Sequence, residues 1–217
     1  MRPHGVRRER AVDALAGRRG SVDRDAEAPA FDGLRIVLHE SNRRGAVLRC
    51  LASVRWLAMR GAEILLVDGV AGLPSSDGTR AAVGQRFPGV HVVASPRQGG
   101  LEALLSCYAA PVPARPTGPR AVLRVSADLE LDAFRVEQLL RELREQPKSI
   151  VLTTGLIGTD GAWLTTSRPR SQRHHPGRLD RWPAAWIAKA SDLARLRSAE
   201  RLRFVPSPVS FVTHKPS

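Results

Sequence analysis

The sequence has few cysteines and no long apolar run, the features typical of disulfide-bonded secreted proteins and of membrane-spanning proteins. Its 217 residues include only two cysteines, Cys50 and Cys107, which lack the close spacing of a metal site or redox motif, so no disulfide framework is expected. No apolar run approaches the roughly 18 residues of a membrane-spanning helix, and residues 1–30 lack the apolar stretch of a signal peptide. We therefore expect buried free thiols, no membrane span and a cytoplasmic location.

Lysine is also scarce, since only three of the 34 basic residues are lysine. The formal net charge of +13 would suit a surface that binds nucleic-acid phosphates. Arginine together with abundant alanine, glycine and proline is also what a GC-rich genome produces, so we do not expect a dedicated nucleic-acid binder. An electrostatic nucleic-acid site on the basic segment 167–203 is kept as the weakest of three hypotheses.

The length and composition suit one compact domain. With 42% hydrophobic residues the chain can bury a core of its own, and it contains no internal repeat. Residues 1–31 show no sustained period and are predicted to be a flexible, basic and polar leader. Residues 32–217 are predicted to form a single domain, with halves at 32–145 and 146–217 and a mobile loop at 167–181.

Apolar strand patterns and helical periods alternate along the domain. The predicted strands are 34–38, 64–67, 90–94, 121–125 and 149–154, and the predicted helices are 44–59, 80–87, 101–108 and 133–144. Residues 162–165 are expected to pair with the fifth strand through a turn at 158–161. This order predicts an α/β fold with a doubly wound, mainly parallel sheet and helices on both faces.

Polar residues follow several of the predicted strands. Ligands of open α/β sheets bind beyond the carboxyl ends of the strands, which directs attention to Glu40, Asp68, the loop 95–100 and the segment 126–130. Asp68 could instead cap a turn, and Asp128 could cap the helix that follows it. Their shared position at strand ends favours ligand binding over capping.

The order and spacing of these segments resemble the family 2 glycosyltransferases, which have the GT-A fold. The match extends over residues 34–143. Six segments carry it: Arg49-Cys50-Leu51-Ala52-Ser53-Val54, Glu63-Ile64-Leu65-Leu66-Val67-Asp68-Gly69, Asp77-Gly78-Thr79, Arg86-Phe87-Pro88-Gly89-Val90, the loop 96–100, and Leu123-Arg124-Val125-Ser126-Ala127-Asp128. The resemblance implies a GT-A-like domain that binds a nucleoside-diphosphate sugar with its first half and an acceptor with its second half.

The resemblance also implies roles for individual residues. Glu40, Asp68 and Ala127 would line the nucleotide-sugar site, with Asp68 contacting the base and the ribose. Arg97 and Gly99 would lie near the nucleotide. For Arg97 the alternative is an ordinary exposed loop arginine, which is common in so arginine-rich a chain.

A divalent cation is implied at the end of the fourth predicted strand. Asp128 falls where the family holds Mg²⁺ or Mn²⁺ against the diphosphate, and such an ion stabilises the charge of the leaving group. The family's first aspartate of this motif is Ser126 here. The site has therefore lost a charge, unless Glu130 reaches inward as a replacement ligand.

The C-terminal segment lacks the carboxylate that a subgroup of these enzymes uses as general base. Residues 206–209 read Pro-Ser-Pro-Val, inside an apolar stretch, 204–213, that the prolines break. His214 is the candidate base, with His174 and His175 as alternatives, because a neutral imidazole accepts a proton near neutral pH. The first hypothesis is therefore a hexosyltransferase with an unknown acceptor, and the second is a catalytically inactive nucleotide- or partner-binding module.

Overall fold

The computed structural model describes residues 30–98, 100–112, 117–146, 150–159, 163–164, 183–195 and 203–213. Within these ranges the strands are β1 (Leu34–Glu40), β2 (Glu63–Asp68), β3 (Val90–Ala94), β4 (Ala121–Val125), β5 (Leu129–Glu130), β6 (Ile150–Gly158), β7 (Trp163–Leu164), β8 (Ala185–Lys189) and β9 (Arg203–Thr213). The helices are α1 (Arg44–Met59), α2 (Thr79–Arg86), α3 (Gly100–Ala109), α4 (Ala133–Glu145) and α5 (Ala190–Arg195). The predicted helix 44–59 and the predicted strands 90–94 and 121–125 are confirmed at both ends.

One mixed sheet contains all of these strands, in the order β3, β2, β1, β4, β8, β6, β9, β5, with β7 paired to β6. The first four strands of this order are parallel, as predicted. Beyond β4 the pattern changes, because β8 is antiparallel to both β4 and β6, and β9 is parallel to β6. The predicted partner of the fifth strand is confirmed as β7, which lies antiparallel to β6.

Helices cover both faces of the sheet, as predicted. Alternate residues of the inner strands enter different cores, since successive side chains of a strand point to opposite faces. Leu38 and Leu66 belong to the core under α1, α2 and α4, whereas Val37 and Leu65 belong to the core that α3 and α5 cover. Glu40 and Asp68, which end β1 and β2, have the same strand parity as Leu38 and Leu66, so they belong to the face that α1, α2 and α4 cover.

The strand β9 was not predicted, because the sequence presents it as an apolar stretch broken by prolines. Pro206 pairs with Thr153 of β6, and the register then shifts between Thr153 and Gly155. Proline lacks the N–H that a regular ladder needs, so it suits such an irregularity. The prolines therefore bend a strand here and do not end it.

Several predicted features lie outside the described residues: the leader as far as residue 29, Gly99, the whole loop 167–181 with the alternative bases His174 and His175, and His214. Phe31, at the end of the predicted leader, is fully buried and packs edge-on against Trp56. Both cysteines are free; Cys50 is buried, and Cys107 is only half-buried. Among the described helices, none has the length and apolar character that crossing a membrane would require.

Candidate functional site

The acidic residues that end β1 and β2 lie side by side. Glu40 and Asp68 are register partners in the parallel pair β1–β2, and both are buried. The end of β4 joins them, because the backbone N–H of Ala127 donates to Oε1 of Glu40 at 2.8 Å. Three of the predicted nucleotide-sugar residues therefore meet at the carboxyl edge of the parallel strands.

Asp68 is the most unusual of these residues. It is only 1% exposed, and neither carboxylate oxygen has a hydrogen-bond partner among the described residues. Its backbone carbonyl accepts from the N–H of Ser95 at 3.0 Å, which ties the end of β2 to the loop after β3. A buried polar group without a partner is costly and is rare in native proteins. Asp68 therefore has capacity for donors that the described protein does not supply.

A tight turn follows Asp68, and only glycine suits its first position. Gly69 has φ +90°, and a Cβ there would come within 1.9 Å of the carbonyl oxygen of Leu73. The Gly69 N–H donates to the Glu40 carbonyl at 3.1 Å, and Val70 and Leu73 close the loop with reciprocal backbone hydrogen bonds. This turn fixes the backbone next to the Asp68 carboxylate.

His39 supports the turn from the opposite face of β1. Its Nε2 lies 3.2 Å from the Gly69 carbonyl oxygen, and its Nδ1 lies 3.1 Å from the Tyr108 hydroxyl. The carbonyl can only accept, so Nε2 carries the proton and Nδ1 accepts from Tyr108. Burial lowers the pKa of His39, and the charge of Arg124 lowers it further. The imidazole is thus held neutral as a connector between α3 and the turn.

Arg97 lies against the same loop. Gly72 has φ +79°, and a Cβ on it would come within 2.0 Å of the Arg97 Cγ. The aliphatic stem of Arg97 therefore crosses the Gly72 backbone, while the residue as a whole remains exposed. The side chain thus lies beside the turn that follows Asp68, and its role near a nucleotide stays a prediction.

A second network joins Glu40 to the end of β4. The Ser126 hydroxyl lies 3.3 Å from Oε1 of Glu40 and 3.5 Å from Oδ2 of Asp128. Arg43 completes the network, since its Nη1 lies 3.3 Å from Oε2 of Glu40 and its Nη2 bonds to Oδ1 of Asp128. Burial, together with the charges of Glu40 and Asp128, raises the pKa of the nearby Cys50 to about 12. That thiol therefore stays protonated.

Arg43 was not among the residues predicted from the sequence. The residue stands at the N-cap of α1, and its side chain makes no capping hydrogen bond. A helix N-terminus favours negative charge, so an arginine at the cap followed by Arg44 is the opposite of the usual preference. That misplaced charge was the signal that could have identified Arg43 as a partner for Asp128.

The described carboxylates are a poor donor set for Mg²⁺ or Mn²⁺. Such ions prefer several oxygen ligands, yet no group of three or more His, Cys, Asp or Glu side chains in the described ranges could hold an ion. Both oxygens of Glu40 accept hydrogen bonds, and Asp128 is paired with Arg43. Glu130 is exposed in β5, where it pairs with Val212.

The candidate base His214 follows the end of β9 in the sequence. Thr213, the last residue of β9, is the register partner of Leu129, which follows Asp128 directly. Ser207 donates to the Glu142 carboxylate of α4 at 2.5 Å, so one carboxylate does approach the segment 206–209. That carboxylate comes from α4, which sequence reasoning did not consider.

The fold of this chain is similar to those of several solved structures. The chain is similar to a mannosyltransferase from Pyrobaculum calidifontis, in complex with GDP-Man and Mn²⁺, with a TM-score of 0.52 and 14% sequence identity. The match covers 86% of this chain and 58% of the mannosyltransferase. The chain has a GT-A-like fold.

A second similar structure shares this GT-A-like fold. Glucosyl-3-phosphoglycerate synthase from Mycobacterium tuberculosis, in complex with Mn²⁺, UDP and glucosyl-3-phosphoglycerate, matches with a TM-score of 0.55 and 17% identity, over 88% of this chain and 75% of the synthase. The sequence itself matches no family model and, at a significant level, no curated protein. The likeness is thus one of fold alone, and a fold does not by itself fix the function of its site.

Proposed function

We propose that this protein binds a nucleoside-diphosphate sugar where Glu40, Asp68 and Ala127 meet, and transfers the sugar to an acceptor. The observation that carries the proposal is the buried carboxylate of Asp68, which has no donor among the described residues. The N–H groups of a nucleobase and the hydroxyls of a ribose are donors of the kind that it lacks. Because both oxygens are buried, a neighbouring segment must move before a ligand reaches them.

The turn after Asp68 supports the same assignment. Gly69 and Gly72 let the chain turn tightly at the edge of the sheet, because the Leu73 carbonyl and the Arg97 stem fill the space that their Cβ atoms would need. Arg97 crosses this loop and has an exposed side chain, so its guanidinium is available to a phosphate. Gly99, which follows Arg97 and Gln98 in the sequence, stays a prediction.

Transfer of the sugar requires that the acceptor hydroxyl lose a proton while the nucleoside diphosphate leaves. A general base contributes about 10²- to 10⁴-fold to such a step. We propose His214 for this role, because it follows Thr213, which pairs with the residue after Asp128. Mg²⁺ or Mn²⁺ on Asp128 and Glu130 stays a prediction from the sequence, although the described donor set fits it poorly.

Calorimetric titration tests donor binding. Wild-type protein should release or absorb heat with at least one UDP-, GDP- or dTDP-sugar, and Asp68→Asn should weaken that binding about tenfold or more, because a hydrogen bond to a charged group contributes about 1.5–3 kcal/mol. Glu145→Gln, the matching amide substitution on the exposed surface of α4, should leave the affinity unchanged. The absence of heat with every donor would contradict the proposal.

A second candidate is a module that binds the nucleotide without transferring the sugar. Ser126 in place of an aspartate favours it, as does the engagement of Asp128 by Arg43. The two candidates differ in product formation, since only an enzyme forms product with an acceptor and loses that activity in Asp128→Ala. The cytoplasmic location and the expectation that nucleic acid is not a partner also stay predictions from the sequence.

A further inference from the structure

We propose that Arg43 supplies the positive charge that the donor's diphosphate meets, in the position where a divalent cation was expected. This inference rests on the proposed function, since it concerns the diphosphate end of the same site. It adds that this chain binds its donor without a metal ion.

The position of the guanidinium is the first argument. Arg43 bridges two carboxylates from different strand ends, with Nη1 at 3.3 Å from Glu40 and Nη2 bonded to Asp128. Asp128 is the residue expected to hold the ion, and the arginine already contacts Oδ1, one of its two carboxylate oxygens. The positive charge beside Asp128 therefore belongs to the protein itself, in the Arg43 side chain, and not to a bound ion.

The oxygen atoms around the guanidinium are the second argument. Oε1 of Glu40 accepts from the Ala127 N–H and lies within reach of the Ser126 hydroxyl, while Oε2 faces Arg43. An ion bound to Asp128 would also lie close to a guanidinium, and two cations at such a distance repel one another. Ser126 fits this arrangement, because an aspartate there would add a third negative charge around one arginine.

The remaining hydrogen-bonding capacity of Arg43 is the third argument. A guanidinium has five N–H donors in a planar fork, and the carboxylates of Glu40 and Asp128 need only some of them. The side chain is 41% exposed, whereas those of Glu40 and Asp128 are 8% and 14% exposed. The hydrogen bond to Asp128 raises the pKa of Arg43 further, so the group keeps its charge. Its open side can therefore donate to phosphate oxygens.

The affinity for a nucleoside diphosphate should be lower than at a site that holds a divalent ion, because the positive charge of Arg43 is smaller. A guanidinium carries one positive charge where Mg²⁺ or Mn²⁺ carries two, and here it already faces two carboxylates. The attraction for a diphosphate is thus weaker than at a metal-loaded site. We expect modest nucleotide affinity that does not depend on divalent ions.

The test is a titration of the full chain with UDP, with GDP and with dTDP, in EDTA and again in Mn²⁺. The expected result is a dissociation constant that agrees within about threefold between the two conditions, since no ion takes part. Arg43→Gln should weaken binding in EDTA about tenfold, and Arg43→Lys, which keeps the charge and loses the fork, should fall between Arg43→Gln and the wild type. Electron paramagnetic resonance should detect no Mn²⁺ bound to the wild-type protein with UDP.

Arg44→Gln is the matched control, because it removes the same charge one residue away from a side chain that is also exposed. It should leave the affinity unchanged, and thermal unfolding should show that all variants are folded. A requirement for Mn²⁺, or an unchanged affinity in Arg43→Gln, overturns this inference and leaves the proposed function intact. Failure of all three nucleotides to bind in either condition overturns the proposed function and this inference with it.

Discussion

Two corners of the site hold a carboxylate at a strand end in opposite states. In the Asp68 corner, residues 68–73, the carboxylate is buried and meets no donor among the described residues. In the Asp128 corner, Arg43 with residues 126–128, the carboxylate is paired with a guanidinium. Glu40 joins the corners, since it is the register partner of Asp68 and a partner of Arg43.

Under the proposed function, this difference predicts which corner gains more from a ligand. An unpaired buried carboxylate raises the free energy of the folded protein until donors reach it, whereas a paired one is already compensated. The Asp68 corner is therefore the one that should gain most from a nucleoside. The Asp128 corner should respond to the charge of the diphosphate through Arg43.

Disruption of the Asp68 turn should have the largest effect on stability. Gly69→Ala places a Cβ at 1.9 Å from the Leu73 carbonyl oxygen and forces alanine to φ +90°, so the free energy of unfolding should fall by about 3 kcal/mol. Gly84→Ala is the control, because nothing lies within 4 Å of its added Cβ in α2. It should stabilise the protein by about 0.5–1 kcal/mol. Urea denaturation of both variants measures the contrast, and equal losses would refute the assigned role of the turn.

The two aspartates should respond to amide substitution with opposite signs. Asp68→Asn removes a buried charge without partners, so the nucleotide-free protein should gain about 1–2 kcal/mol of unfolding free energy. Asp128→Asn weakens the pairing with a half-exposed arginine, so it should lose less than about 1 kcal/mol. Chemical denaturation without nucleotide compares them. A loss of stability in Asp68→Asn would mean that its carboxylate has a partner in solution.

The pH dependence of stability should reveal the support that His39 gives the Asp68 corner. Burial lowers the pKa of His39 below the value of 6.5 that applies to an unfolded chain. The stability that the neutral His39 side chain contributes is thus fully present above pH 6.5. It is lost as the pH falls through the lowered pKa of the folded protein. Denaturation from about pH 7.5 to about pH 5 should show a smaller loss in His39→Gln than in the wild type. Identical slopes would show that His39 does not titrate as a buried group.

The sequence predicted the locally patterned elements of the fold well and the long-range strand pairings poorly. The helix α1 and the strands β3 and β4 match their predicted bounds, because strands and helices alternate there and each apolar pattern is local. The place of β8 between β4 and β6, and the strand β9 with its prolines, depend on contacts between distant segments. Local patterns carry no signal for such pairings.

The residues of the site also fall into a group that the sequence predicted and a residue that it did not. Glu40, Asp68 and Ala127 were predicted together, because parallel strands carry their carboxyl ends to one edge. Arg43 was not predicted, since it stands at the N-cap of α1 beyond the end of β1, and only the direction of its side chain brings it to Asp128. Its side chain direction depends on the packed ends of β1 and β4, which no local period describes.

A crystal structure with UDP or GDP, grown with and without Mn²⁺, tests the central claim most directly. The account predicts a nucleoside whose N–H or hydroxyl groups donate to the Asp68 carboxylate, with the diphosphate against the Arg43 guanidinium. Nucleotide bound at a distance from the carboxyl ends of β1, β2 and β4, with Asp68 still buried and unpaired, would contradict it.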